Sequence, residues 1–251
     1  MLEQFARTEL LLGKEAMARL SKAHIAVFGI GGVGGYVVEA LARCGVGSFD
    51  LIDNDRVCLT NLNRQIIATT DTIGRYKVDV MKERILSVNP EARVNTYPCF
   101  YLPENESEFD FTEYSYVVDA VDTVTAKISL VLKANKAGVP IISCMGTGNK
   151  LDPTRLKIAD IYETSVCPLA KVMRRELRKR NVEKLKVLYS EEEPRVPGKS
   201  NSNFVSDDVQ NPAEAETAPK GRRSIPGSTS FVPSAAGLII AAEVVRDLTR
   251  F

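Results

Sequence analysis

The run from Ile25 to Gly34, Ile-Ala-Val-Phe-Gly-Ile-Gly-Gly-Val-Gly, constrains the fold of this chain more than any other stretch. Residues 25–28 are a short apolar run of the kind that makes a buried strand, and Gly29, Gly31 and Gly34 follow at G-x-G-x-x-G spacing. Residues 36–42 carry a helical pattern that Gly45 is placed to end. Glycines there let the chain turn tightly, admit a phosphate to the backbone and seat the new helix on the strand. The helix N-terminus then offers N–H groups and the positive end of a dipole to an anion. The spacing alone is a weak signal. Followed by residues 48–53, a second strand-like run ending in Asp53, it predicts a nucleotide-binding α/β unit.

The alternation continues downstream. A helix is predicted over 78–88, a third strand over 93–97, a strand over 116–122 ending in an acid, a helix over 127–137 stopping at Gly138, and a strand over 140–144. This order implies an α/β fold with a doubly wound, mostly parallel, Rossmann-like sheet covered on both faces, with ligands at the strands' carboxyl ends. A helix is predicted over 14–20, and the acidic connector 103–113 reads as a solvated loop and helix. Strands are predicted over 155–161 and 186–189. Between them a helix begins at Pro168, with Leu169, Val172, Met173 and Leu177 on an apolar face. Its other face carries Lys171, Arg174, Arg175, Arg178, Lys179 and Arg180. Five prolines fall within 190–227, which reads as a long mobile loop, and 231–246 is an almost wholly apolar helix that must be buried. The chain thus divides into a nucleotide-binding core (1–150), a substrate-side segment with the basic helix (151–189), the loop (190–227) and a buried C-terminal helix (228–251), all within one domain.

Composition excludes several classes. A net charge of +1 imposes no global attraction to nucleic acid or membrane, so any such affinity must come from local patches. The five cysteines are scattered, with no Cys-x-x-Cys pair, and there is one histidine; this predicts a reducing cytoplasm and no zinc site. No leader and no transmembrane segment is predicted.

Asp53 lies 24 residues after Gly29, where a carboxylate accepts from ribose hydroxyls, a geometry that serves NAD and ATP alike. The surrounding charges separate the two. A triphosphate to be cleaved needs fixed cations and a carboxylate for Mg²⁺, and Arg64, Lys77, Arg7 and Asp122 are candidates for those parts. A nicotinamide or flavin oxidoreductase would instead want a hydride-side acid or base. The one histidine, His24, sits at the wrong end of the first strand and reads as a strand-entry residue.

The set Gly29–Gly34, Leu51-Ile-Asp-Asn-Asp55, Thr60-Asn-Leu-Asn-Arg-Gln65, Gly74-Arg-Tyr-Lys77 and Asp119-Ala-Val-Asp122 resembles the motif series of the ubiquitin-activating-enzyme superfamily, over roughly residues 5–150. The resemblance implies an adenylation fold and an ATP site of Gly29, Gly31, Gly32, Gly34, Asp53, Asp55, Asn61, Asn63, Arg64, Lys77 and Asp122. Gly32 would lie against the phosphates and Asp53 would bind the ribose. Asn61, Arg64 and Lys77 would contact the triphosphate, and Asp122 would serve Mg²⁺ and the reacting centre. Arg7 matches an arginine inserted into the partner subunit's site, which implies a homodimer.

Within that superfamily the chain is most similar to the tRNA threonylcarbamoyladenosine dehydratases. Arg7-Thr-Glu-Leu-Leu-Leu-Gly13, Leu151-Asp-Pro-Thr154 and Phe231-Val-Pro-Ser-Ala-Ala-Gly237 add to the shared motifs. What this implies is an ATP-dependent cyclisation of the modified adenosine beside the tRNA anticodon through an acyl-adenylate, with release of pyrophosphate and AMP. The alternative is an adenylyltransferase for a sulfur-carrier or other ubiquitin-like protein; the two Cys-x-x-Cys pairs common in those activators are absent here. Cys167, before Pro168, is a candidate thiol for a thioester or persulfide, with a partly buried structural role the better reading. The basic helix, with Lys220, Arg222 and Arg223 on the loop, is the candidate tRNA-binding strip.

Overall fold

The computed structural model describes residues 3–196 and 226–250, so Lys220, Arg222 and Arg223 lie outside the described residues. Among those described, seven strands form one sheet: β1 (His24–Phe28), β2 (Ser48–Ile52), β3 (Arg93–Tyr97), β4 (Tyr116–Asp119), β5 (Ile141–Cys144), β6 (Leu156–Asp160) and β7 (Lys186–Ser190). Their order is β3-β2-β1-β4-β5-β7-β6. Every pairing is parallel except β6 on β7. The helices are α1 (Ala6–Lys22), α2 (Gly34–Arg43), α3 (Lys77–Val88), α4 (Val124–Ala137), α5 (Pro168–Arg178) and α6 (Phe231–Thr249).

Strand alternation divides the core in two. Ile25 and Val27 of β1 point into one cluster with α1, α2, α3 and α6, whereas Ala26 and Phe28 point into the other with α4 and α5. This is the doubly wound sheet that the strand–helix order predicted. β6 and β7 extend that same sheet. Helix α6 lies on α2 and α1, and buries Val232, Ala236, Ile240, Ala241 and Val244. Each buried Val or Ile of this kind stabilises the fold by roughly 1.5–3 kcal/mol. No helix among the described residues is long and apolar enough to cross a membrane.

Three expectations are corrected. The N-terminal helix runs over Ala6–Lys22, with a break at Gly13 (φ 81°), because the first half has too few buried residues for its period to register in the sequence. The acidic connector is not merely solvated: Phe109 and Phe111 are buried against the Phe28 ring, and Glu106 pairs with Lys133. Finally, the buried stripe of α5 is Ala170, Met173 and Leu177, while Val172 faces out. Positions 170, 173 and 177 share one helical face, and 172 lies off it.

Candidate functional site

Parallel register brings the carboxyl ends of three strands level. Phe28 pairs with Ile52 on one side and with Asp119 on the other, so Gly29, Asp53 and Ala120 leave the sheet together. Gly29 adopts φ +90°, and a Cβ there would stand 2.6 Å from the Ala120 carbonyl oxygen. At Gly34 a Cβ would stand 1.8 Å from the Gly29 oxygen. The turn exists because neither residue has a side chain. Gly31 is open on that side, with nothing nearer than the Gln65 amide nitrogen at 3.9 Å. Helix α2 starts from Val33 with no side-chain cap, so the positive end of its dipole faces the same opening, while the N–H groups of Gly35 and Tyr36 close back on the Gly31 and Val33 carbonyls. Such an end is a seat for phosphate.

Asp53 holds the turn in place. Its Oδ2 accepts from the Ile30 N–H at 2.6 Å and its Oδ1 from the Asp55 N–H at 2.8 Å. Burial lifts its carboxyl above the ordinary value, against the pull of the Lys77 cation. Lys77 is buried at the start of α3, and its Nζ donates to Asp55 Oδ2 at 2.6 Å. The polar segment between them coils into a turn. Asn61 is buried, and its Oδ1 accepts from the Cys58 N–H at 3.3 Å while its carbonyl accepts from the Arg64 and Gln65 N–H groups. Asn61 therefore shapes the loop that presents Arg64. The Arg64 side chain passes within 3.4 Å of where a Gly32 Cβ would be, and its guanidinium donates to the Thr60 carbonyl and to Asn63 Oδ1. Asn63 in turn donates to the Ser228 carbonyl at 3.0 Å, and Pro233 of α6 touches the Gly32 position. The strap before α6 is fastened at its other side by Asn149, which exchanges hydrogen bonds with Gly227 at 2.7 and 2.6 Å.

Asp122 is exposed on the loop beyond β4, and no ion pair or hydrogen bond engages its carboxylate among the described residues. Beneath that loop lies a pair that sequence reasoning missed. Lys127 of α4 and Asp119 at the end of β4 are both fully buried, with Nζ 3.1 Å from each carboxylate oxygen. Lys127 also donates to the Cys144 carbonyl at 2.7 Å, and the Ser143 hydroxyl donates to Asp119. Helical spacing held the signal, since Lys127 shares its face with the buried Leu130, Val131 and Ala134.

Other candidates lie elsewhere. Arg7 is exposed and is not brought to its own chain's glycine turn: Phe5, two residues before it, packs on Gly45 past the far end of α2. Arg174 is half-buried, and its guanidinium donates to the carbonyl and hydroxyl of Thr164. Arg175, Lys179 and Arg180 all converge on Glu176, whose carboxyl is held down at about 2, chiefly by Lys179 and then Arg180. Arg178 lies over the Tyr162 ring at 5.1 Å, and Lys171 is exposed. Cys167 is 2% exposed at the start of α5. Burial pushes the Cys144 thiol up to about 12. His24 bonds to Asp50 at 2.8 Å and packs edge-on against Tyr114, far from the turn and in keeping with a structural strand-entry residue. A cavity of about 1020 Å³ opens at the amino ends of β4 and β5, where Lys186 meets Asp247, and no residue of the glycine turn lines it.

A doubly wound sheet with an uncapped helix end, an acid at the end of β2 and a cationic loop at the strand ends defines a nucleotide-binding fold of the adenylating type. The chain belongs to the ThiF family, which it matches over residues 4–251. It is 44% identical over 252 residues to a tRNA threonylcarbamoyladenosine dehydratase of Bacillus subtilis, spanning 100% of this chain and 96% of that protein. The crystal structure of the Escherichia coli tRNA N6-threonylcarbamoyladenosine dehydratase in complex with ATP superposes with a TM-score of 0.84 at 32% identity, covering 99% of this chain and 94% of that one. A sulfur carrier protein adenylyltransferase of Thermus thermophilus is 34% identical over 143 residues, which is 56% of this chain and 52% of that protein.

Proposed function

We propose that this chain is an ATP-dependent, AMP-forming tRNA threonylcarbamoyladenosine dehydratase. The observation that carries the reading is kinship with such a dehydratase along the entire chain, whereas the sulfur-carrier activator matches over 56% of it. The site supports it. In the proposed reaction the threonyl carboxylate attacks the α-phosphorus of ATP and pyrophosphate leaves. The neighbouring carbamoyl group then closes a ring on the acyl carbon, and AMP leaves with the carboxylate oxygen it acquired. The first turn of α2, with Arg64 and Lys77, meets the charge that builds on the phosphoryl oxygens, and Asp53 fixes the ribose. No protein nucleophile is needed, because positioning and charge stabilisation supply the catalysis.

Asp122 fits a magnesium ion. An exposed carboxylate with no protein partner is an oxygen ligand of the kind a hydrated Mg²⁺ takes. When bound, the ion would neutralise the triphosphate. The proposal includes a homodimer in which Arg7 reaches the partner's pocket. Leu10 and Leu11 on the same half of α1 are 85% and 88% exposed, an apolar pair that a second copy would cover.

The decisive experiment incubates threonylcarbamoyladenosine-containing tRNA with the protein, ATP and Mg²⁺, followed by nucleoside analysis. The modified nucleoside is expected to become one water lighter, with AMP formed in step. An unaltered nucleoside, with ATP–pyrophosphate exchange appearing only on addition of a small protein ending in Gly-Gly, would replace this reading with carrier activation.

For the tRNA surface, the geometry narrows the basic helix to its outward cations. Reversing Lys171, Arg175 and Arg178 to Glu is expected to weaken tRNA binding and to lower its salt slope by about 1 for each phosphate no longer neutralised, with ATP affinity intact. A filter-binding salt titration identical to that of the parent would move the tRNA to another face. Arg174 is left out of the set, since its removal would unfasten Thr164.

A further inference from the structure

Among the described residues, three buried side-chain polar atoms have no hydrogen-bond partner: Gln65 Oε1, Thr123 Oγ1 and Thr229 Oγ1. All three lie on segments around the glycine turn. Thr123 follows Asp122 and stands at the start of α4 without capping it. Thr229 follows Ser228, which Asn63 holds. Gln65 is 6% exposed, and its amide nitrogen is the nearest atom to the open side of Gly31. Its backbone is fully engaged, with the N–H bonded to the Asn61 carbonyl and the carbonyl accepting from Ala68. Among the described residues its side chain has no hydrogen-bond partner.

A buried amide oxygen left unsatisfied costs free energy in the ligand-free protein. Most native side chains at this burial are paired, so the exception calls for a partner that arrives. At Nε2 that partner must be an acceptor, and at Oε1 it must carry a proton. A hydrated phosphate chain on the α2 N-terminus supplies both, through a phosphoryl oxygen and a water of its shell. We propose that Gln65 is a phosphate-contact residue of this site, turned to the ligand beside Gly31. This rests on the ATP reading above and extends it to a residue with no assigned role.

The inference makes opposite demands on the free and the bound protein. In Gln65→Leu the unpaired acceptor is gone, so the ligand-free chain melts at or above the parent temperature. Calorimetric titration with ATP and Mg²⁺ should show Kd raised about tenfold or more, as for loss of one hydrogen bond to a charged group, while adenosine binds as before. Gln65→Glu keeps the size and places an anion against the phosphates, so its ATP affinity falls further than that of Gln65→Leu, again with adenosine unaffected. ATP affinity unchanged in Gln65→Glu would overturn the proposal. So would a Gln65→Leu chain that loses ATP and adenosine by the same factor, or one that melts well below the parent, since either result makes Gln65 a support of the loop. If instead the parent chain binds no ATP, it is the underlying reading that fails.

Discussion

Asp122→Ala is expected to reduce AMP formation by about 10³-fold or more while the melting temperature moves by no more than about 2 °C. The two halves of that expectation come from one observation. The Asp122 carboxylate is exposed and engages no other side chain among the described residues, so the fold loses nothing when it is removed. Its loop is nonetheless held against the turn, since Ala120 closes on Gly29 and Gly34. A carboxylate kept in place with no structural task is suited to a ligand's charge. Asp122→Asn tests the charge itself: it preserves shape and one acceptor, and is expected to be as defective as the alanine variant. AMP formation by Asp122→Ala within tenfold of the parent would show that another group meets the metal and the leaving phosphates.

The same variant tests the proposed dimer. If Arg7 acts across the interface, a protomer with Asp122→Ala still lends its Arg7 to a partner, and a protomer with Arg7→Ala still has an intact Asp122. Each variant alone is defective. Their one-to-one mixture regains one complete site per heterodimer, or roughly a quarter of parental activity under random pairing. No recovery after subunit exchange would place Arg7 outside the partner's pocket.

The sequence made the nucleotide end of this molecule legible for a physical reason. Gly29 and Gly34 are forced by places where a Cβ would collide with backbone, and Asp53 is forced by the level ends of β1 and β2. Those constraints leave fixed spacing in the chain. The long-range bonds of the strap, in which Asn149 holds Gly227 and Asn63 holds Ser228, leave none, because their partners are 78 and 165 residues apart. Arg174 misled for a similar reason: on helical spacing it belongs with the solvent-facing cations, and only the position of Thr164 turns it inward. The buried stripe of α5 runs through Ala170, Met173 and Leu177, and a reading led by large apolar residues passes over the alanine in favour of Val172.

Lys127→Met is the variant expected to cost the fold most. Lys127 and Asp119 are both 0% exposed, so the substitution leaves a carboxylate in the core without its cation and the Cys144 carbonyl without its donor. Breaking a buried pair from one side costs about 3–5 kcal/mol, which for a chain of this size lowers the melting temperature by roughly 6–20 °C. The cost belongs to the stranded charge, so removing that charge as well, in Lys127→Met with Asp119→Asn, is expected to recover a large part of it. Function responds separately. Asp119 also accepts from the Val121 N–H at 3.3 Å, one residue before Asp122, so the pair fixes the path of the loop that carries the acid. At a temperature where the doubly substituted chain is fully folded, its AMP formation is expected to stay below that of the parent, because the side chain left at 119 keeps an acceptor for the Val121 N–H but loses the Lys127 ammonium that fixes its position. A single Lys127→Met chain melting within about 2 °C of the parent would mean that water reaches Asp119, and the buried pair would then be a consequence of the fold instead of one of its supports.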